Sequence, residues 1–192
     1  MRTRNIHSTQ SFVPGELTDL ALDRKDLDQL FSATYEELRR LAATLRRGDP
    51  AASLSPTTLV NEAWLKLASS PNFQSASQLH FKRIAARAMR QVLVEAARRR
   101  NAGKRGGGEI IIQFHESLGT TADCGRDVLL LDAALDELSQ MNPRQAMMVE
   151  SRFFGGLDVA ETAQLLEISE ATVLRDWRVA KAWLAHRIRQ EN

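Results

Sequence analysis

The chain has very little cysteine and no long apolar run. Cys124 is its one cysteine, which excludes an intramolecular disulfide and any zinc site built from several cysteines. No stretch approaches the roughly 18 consecutive apolar residues of a membrane span. The N-terminal sequence MRTRNIHSTQSFVPGEL also lacks the apolar run of a signal peptide. We therefore expect a reduced, cytoplasmic protein without membrane insertion.

Signatures of catalysis and of cofactor binding are missing as well. The sequence contains no His-Glu-x-x-His pattern, no paired cysteines and no serine in a nucleophile elbow. The glycine-rich AGKRGGG segment lacks the Gly-Lys-Ser/Thr order of a Walker loop. We predict a protein that is not an enzyme, with no catalytic residues, no metal and no cofactor. The histidines lie in different segments, at His7, His80, His115 and His186.

Aromatic residues make up only 6% of the chain, whereas Ala, Leu and Arg are abundant, which favours helices. The net charge of +2 is small but uneven, because nine Lys or Arg and one acid, Glu95, lie between Lys82 and Arg105. Such a block indicates a phosphate-rich partner, although a solvated surface helix is the alternative. The composition predicts an all-α fold.

Two amphipathic helices open the ordered part of the chain. The first begins near Leu27 and stops at Gly48, Asp49 and Pro50. The second begins with Ser55 as N-cap and Pro56 at the first helical position. Its Asn61 and Glu62 lie together off the apolar face, where a polar pair is most often plain surface.

The third predicted helix combines an apolar face with a ridge of arginines. Basic amphipathic helices also bind acidic membranes or calmodulin-like grooves. Here the apolar face is rich in small alanines that suit packing on other helices, so nucleic acid is the favoured partner. The apolar face consists of Phe81, Ile84, Ala85, Ala88, Met89, Val92, Leu93 and Ala96, and the ridge of Arg83, Arg87, Arg90 and Arg98.

Helical periodicity fails after this helix. The sequence EIIIQFHESL could form one short strand, but a lone strand is marginal, so we interpret the segment as an extended, flexible linker. The linker separates two small helical domains. The predicted division is a mobile N-terminal tail at 1–25, a first domain at 26–101, the linker at 102–126 and a second domain at 127–192.

The second domain ends in a helix-turn-helix pattern. Asp127 and Pro143 open two helices, and Gly155 with Gly156 permits a sharp turn. A short helix, a turn at Glu167 and a longer helix capped by Ser169 follow. An apolar stripe on the longer helix leaves four polar residues for a DNA major groove. The stripe is Val173, Trp177, Ala180, Leu184 and Ile188, and the polar residues are Thr172, Arg175, Arg178 and Lys181.

These patterns together resemble a known family. A helical domain that ends in a basic helix, followed directly by a domain that ends in a helix-turn-helix, resembles regions 2 and 4 of an extracytoplasmic-function (ECF) sigma factor of the bacterial sigma-70 family. LSPTTLVNEAWLKL resembles region 2.2, HFKRIAARAMRQVLVEAARRR regions 2.3 and 2.4, and RFFGGLDVAETAQLLEISEATVLRDWRVAKAWL region 4. The resemblance covers about residues 26–190.

The resemblance implies roles for particular residues. Asn61 and Glu62 match positions that dock on the β′ clamp helices of core RNA polymerase, and the β flap and an anti-sigma protein are further partners of the family. The residues at positions that contact and open the −10 element of promoter DNA are Arg83, Arg87, Arg90, Gln91 and Arg98. The residues at positions that read the −35 element are Thr172, Arg175 and Arg178, with Lys181 as a phosphate contact.

We therefore predict a sigma factor that directs promoter-specific initiation. The alternative is a helix-turn-helix regulator that binds an operator without replacing a sigma subunit. Melted bases need stacking groups, for which Phe81 or Phe73 is the candidate. Glu167 stands where the turn usually has Gly, at a cost on the order of 1 kcal/mol if its backbone is left-handed.

Overall fold

The computed structural model describes residues 24–45, 54–69, 77–103, 111–113 and 125–190. The predicted tail up to residue 23, the candidate stacking residue Phe73 and the lone Cys124 lie outside these residues. Helices form most of what is described, so the all-α prediction is confirmed.

The elements follow the periodicity of the sequence. In chain order they are α1 (Arg24–Leu45), α2 (Pro56–Ala68), α3 (Gln78–Gly103), β1 (Ile111–Gln113), β2 (Gly125–Asp127), α4 (Val128–Met141), α5 (Pro143–Gly155), α6 (Val159–Leu166) and α7 (Glu170–Gln190).

Side chains and glycine geometry set the helix ends. The Ser55 hydroxyl accepts from the Thr58 amide at 2.9 Å, which confirms the predicted cap of α2. α5 has a second cap of this kind, since the Asn142 side chain accepts from the Gln145 amide at 3.1 Å. At the other end of α5, Gly156 takes a left-handed φ of 70°, as its predicted turn requires.

The first half of the chain, α1 to α3, packs around the apolar face of α3. Phe81 and Met89 are fully buried there, against an apolar layer that includes Leu59 of α2. Phe31 of α1 stacks on Trp64 of α2 with 4.4 Å between ring centroids, so Trp64 is a packing residue. The suggestion that Phe81 stacks on DNA bases is wrong for this conformation, because its ring fills the core instead of facing solvent.

The second half, α4 to α7, builds its own apolar layer. Each of the predicted inward residues of α4 and α7 is buried. Burial of this whole stripe fixes which face of α7 is turned to solvent. The buried residues are Leu131, Leu135 and Leu138 of α4 with Val173, Trp177, Ala180, Leu184 and Ile188 of α7.

The two halves are in direct contact along α3 and share one continuous apolar core. Of the described helix pairs, α3 and α5 pack together most extensively. α3 also touches α4 and α6. Gly155 of α5 makes this approach close: a Cβ at that position would lie 3.0 Å from the Ala86 Cβ of α3 and 3.2 Å from the Lys82 carbonyl. The predicted domains are therefore packed together here, and the boundaries between them stay a prediction.

The predicted linker contains a pair of short strands. β1 and β2 are antiparallel, with Ile111 opposite Asp127 and Gln113 opposite Gly125. The interpretation of 111–113 as an unpaired segment is therefore wrong. Its partner escaped prediction because Gly-Arg-Asp has neither β-branched residues nor an apolar alternation.

Candidate nucleic-acid interface

The turn of the helix-turn-helix is held by caps on both sides. Asp158 and Glu161 form a reciprocal capping box at the start of α6. α6 ends at Glu167, whose backbone is left-handed with φ of 54°. The Ser169 hydroxyl then accepts from the Thr172 amide at 3.2 Å, which confirms the predicted cap of α7. These bonds fix the angle at which α7 leaves the turn.

Beyond its first turn, where Glu170 is exposed, the outward face of α7 carries cations and methyl groups but no acid. The acid within this stretch of the helix, Asp176, is turned inward and is only 6% exposed. A solvated helix face usually mixes both charge signs, whereas DNA selects for a cationic one. The exposed residues at helical spacing along this face are Ala171, Leu174, Arg175, Arg178, Val179 and Ala182.

The residues predicted to read the −35 element all lie on α7. Arg175 and Arg178 are exposed on the outward face, and the Arg175 side chain is 67% exposed. Thr172 and Lys181 are half-buried at its edges. The Thr172 hydroxyl lies 2.9 Å from that of Ser169, so it also helps to close the turn.

Asp176 connects α7 to the start of α5. Its carboxylate accepts from Arg144 at 2.8 Å and lies 3.4 Å from the Nε of Arg175. A buried acid that holds two exposed arginines orients both on one side of the domain. Sequence reasoning missed Arg144 as a neighbour of Arg175, because the two are brought together only by helix packing.

A buried arginine underlies α7 in the helix-turn-helix half. Arg152 of α5 is 2% exposed and lies over the Trp177 ring at 4.4 Å from its centroid. Among the residues that the structure describes, its Nε and Nη1 have no hydrogen-bond partner. Burial lowers the pKa of Arg152 against a smaller opposing effect of Asp158. The stacked pair ties α5 to the inner face of α7.

The predicted −10 residues are spread along α3 in different surroundings. Arg87, Gln91 and Arg98 are exposed, whereas Arg83 is half-buried, 3.4 Å from the ring nitrogen of His80. Arg90 differs from all of these, because its side chain is only 13% exposed.

Three carboxylates of the second half surround Arg90. Its Nε donates to Asp132 at 2.8 Å and its Nη1 to Glu150 at 3.1 Å, while Nη2 donates to Asp136. Arg98 adds a longer contact of 3.5 Å to Asp132. Burial disfavours the charged guanidinium of Arg90, yet the three acids outweigh it and raise its pKa. Beside these pairs lies a cleft of about 230 Å³, lined also by Arg87 and Gln91.

Lys82 makes a second ionic contact between the halves. Its side chain is 5% exposed and its Nζ donates to Glu37 of α1 at 2.7 Å and to Glu161 of α6 at 2.8 Å. Burial lowers the pKa of Lys82, but hydrogen bonds to Glu161 and Glu37 reverse the effect and raise it. Glu161 also belongs to the capping box of α6. Its carboxylate therefore binds both Lys82 of α3 and the Asp158 amide of the helix-turn-helix.

The spacing of two of the acids around Arg90 was visible in the sequence. Asp132 and Asp136 are four residues apart, so they lie on one face of α4. Their partner on α3 could not be predicted, since it depends on how the two halves pack.

The residues predicted to bind polymerase lie on α2, away from these ion pairs. Asn61 and Glu62 are both exposed. Below them α2 is anchored by its buried apolar residues and by an ion pair of 2.7 Å between Lys66 and Glu95 of α3. The polar pair is thus presented to solvent on a helix that the core holds in place.

Within the described part of the chain, no group of His, Cys, Asp and Glu residues could hold a metal ion. The described helices also include none with the length and apolar character to cross a membrane.

Comparison with known proteins supplies one match. A model of the family described as ECF sigma factor matches residues 22–190, which is most of the chain. Neither curated proteins nor solved structures give a significant match.

Proposed function

Since the chain belongs to the ECF sigma factor family, whose members bind core RNA polymerase and promoter DNA in transcription initiation, we propose that it directs the polymerase to promoters with defined −35 and −10 elements. ECF sigma factors are regulatory DNA-binding factors, so the chemistry of RNA synthesis is the polymerase's.

The observation that carries this proposal is the cationic outward face of α7, which has no acid beyond Glu170 in its first turn. Arg175 and Arg178 read base edges of the −35 element, because the planar guanidinium fork matches guanine. Thr172 contacts the same groove, and Lys181 at its edge binds a backbone phosphate.

In this proposal, α3 binds the −10 element. Arg83, Arg87, Arg90, Gln91 and Arg98 supply cations and hydrogen bonds to melted DNA, which needs a positively charged surface. Aromatic stacking groups are scarce on this helix, since Phe81 is buried. Hydrogen bonds and phosphate contacts therefore carry more of the binding than stacking does.

Contacts to the polymerase come from both halves. Asn61 and Glu62 on α2 dock on the β′ clamp helices, supported by their shared exposure on a firmly packed helix. The helix-turn-helix half lies against the β flap, and an anti-sigma protein is a further partner that competes for these surfaces.

The test is run-off transcription from genomic promoter fragments with core polymerase, with and without the protein. A sigma factor produces discrete, promoter-dependent transcripts that core polymerase alone does not make. A helix-turn-helix regulator would bind fragments without enabling core polymerase to initiate. That second result would overturn the proposal in favour of the regulator.

A further inference from the structure

A large apolar side chain stands among the cations on the outward face of α7. Val179 is 53% exposed and follows Arg175 by four residues, which places it on the same side of the helix, one turn further along. Asp176, three residues before Val179, is turned inward and buried. Val179 therefore belongs to the face that the proposed function turns towards DNA.

Solvent exposure alone does not account for a valine at this position. A single exposed valine is ordinary on a protein surface, but β-branching restricts its rotamers in a helix, so alanine, lysine or arginine would stabilise the helix more. The core gives nothing in return, because Val179 lies outside the buried stripe of α7. A partner that covers the isopropyl group would supply the missing contact.

The neighbours of Val179 allow the helix to lie close to the bases. Ala171, one turn before Arg175, and Ala182, three residues after Val179, are both exposed. Their small side chains let α7 enter a major groove deeply enough for a valine to come near the base edges. Residues four apart on a helix have Cβ atoms about 5–6 Å apart, and base pairs stack about 3.4 Å apart. Val179 therefore meets a base pair one or two steps from the pair that Arg175 contacts.

The chemistry of the major groove then selects the base. Only pairs of adenine with thymine place a methyl group there, at C5 of thymine, and an apolar side chain that packs on this methyl removes both from water. We propose that Val179 reads the thymine methyl group, so that the −35 element carries a thymine one or two base pairs from the guanine that Arg175 binds. The inference rests on the proposed function, since it needs α7 in the major groove of the −35 element.

The first experiment determines which base pairs the protein selects. Full-length protein with core polymerase is mixed with duplexes that carry a randomised −35 window, and the bound duplexes are sequenced. Arg175→Ala in a parallel selection marks the guanine, as the position where preference is lost. We expect wild type to enrich thymine one or two base pairs from that guanine. Duplexes made with uracil in place of thymine should lose this enrichment and keep the one for guanine, because uracil lacks only the methyl group.

A second experiment assigns the methyl contact to Val179. One selected duplex is made with thymine or with uracil at the enriched position, and competition measures its affinity for the wild-type and Val179→Ala proteins, each with core polymerase. Wild type should bind the uracil duplex about three- to fivefold more weakly, the effect of one buried methyl group. Val179→Ala should bind the two duplexes equally. Alanine at an exposed helix position favours the helix, so this variant should fold as wild type does.

Leu174→Ala is the matched control. Leu174 is the other large hydrophobic residue exposed on α7, at 47%, and it lies on the flank of the helix three residues before the buried Trp177. Its carbonyl accepts from the Nε of Arg178 at 3.3 Å, so the Arg178 side chain lies back towards this flank. Leu174→Ala also removes exposed apolar surface from α7, yet it should keep the full ratio of thymine to uracil affinity.

Equal affinity of wild type for the thymine and uracil duplexes would overturn the inference, and so would a ratio that survives Val179→Ala. Loss of the ratio in Leu174→Ala alone would assign the contact to Leu174 and remove Val179. The run-off assay keeps these results apart from the proposed function. Promoter-dependent transcripts from a protein that selects guanine without a neighbouring thymine would leave the sigma function standing without this contact, whereas a lack of transcripts would overturn both.

Discussion

The backbone angle of a single residue determines the turn between α6 and α7. Glu167 takes a left-handed φ of 54°, and it is the one residue other than glycine with positive φ in the described part of the chain. Its Cβ crowds the backbone in this conformation, whereas glycine has no Cβ to crowd. Glu167 is exposed, so no side-chain contact of the core compensates for the strain.

Glu167→Gly should therefore stabilise the helix-turn-helix half. We expect the free energy of unfolding to rise by about 0.5–1 kcal/mol, the relief of strain being offset in part by a more flexible unfolded chain. Urea denaturation, followed by circular dichroism, measures this free energy of unfolding.

The matched control for this change is Gln164→Gly. Gln164 is exposed in the last turn of α6 and has an ordinary helical backbone, so glycine there should lower stability by about 1 kcal/mol. Equal losses from both substitutions would show that the turn gains nothing from glycine.

At the scale of single residues, the sequence correctly predicted the helix caps and the turn that depend only on neighbouring residues. Ser55, Ser169 and Gly156 act as the caps and the turn that their positions predicted, since each depends on a few neighbouring residues. Arg152 could not be predicted, because an arginine in a helix is normally solvated and only tertiary packing puts Trp177 beneath it.

Among the elements, α7 is the one whose role is most open to direct measurement. Arg175→Ala should weaken binding to −35 DNA by about 1–3 kcal/mol, because a guanidinium contact to a base edge is lost. Competition between promoter fragments with native and altered −35 elements, in the presence of core polymerase, measures the loss of preference.

Arg189→Ala is the control for Arg175→Ala. Arg189 is also exposed on α7 but lies in its last turn, four helical turns beyond Arg175. Its loss should weaken binding equally for both fragments, if at all. Unaltered sequence preference in Arg175→Ala would remove that residue from the −35 contact.

The other element with a measurable role is α2. Asn61→Ala/Glu62→Ala should reduce the affinity for core polymerase while the thermal unfolding midpoint stays near that of wild type, because both side chains are exposed and the buried residues of α2 are unchanged. Co-purification with tagged core enzyme measures it.

Thr57→Ala, another exposed position on α2, should co-purify with core polymerase as wild type does. Undiminished recovery of the Asn61/Glu62 variant would show that polymerase docks elsewhere.

Helix positions could be predicted because amphipathic periodicity is a local property. The face of α7 turned to solvent followed from its apolar stripe, since Val173, Trp177 and Leu184 had to be buried. The surroundings of α3 could not be predicted in the same way. Arg90 shares its ridge with Arg87 and Arg98, and nothing in the sequence distinguishes the one that α4 and α5 enclose.

For the molecule as a whole, the shared core predicts how the chain unfolds. Residues of α3 and α5 belong to one buried cluster, so the two halves should lose structure together. Differential scanning calorimetry of the wild-type protein should show one transition with equal calorimetric and van't Hoff enthalpies. Two resolved transitions in wild type would mean that the halves are independent.

Gly155→Ala should split or broaden this transition. The added methyl group costs about 1–3 kcal/mol of packing at the crossing, which weakens the coupling between the halves more than either half itself.

The crossing of α3 and α5 has a consequence for how quickly the two halves can pack together. Gly155 and Ala86 meet where the helices are closest, and neither residue has a side-chain rotamer to lose or regain. Undocking at this point leaves no large side chain to reorder, and redocking needs none to find its place again. The contact between glycine and alanine therefore adds no side-chain reordering to the step in which α3 and α5 pack at this point.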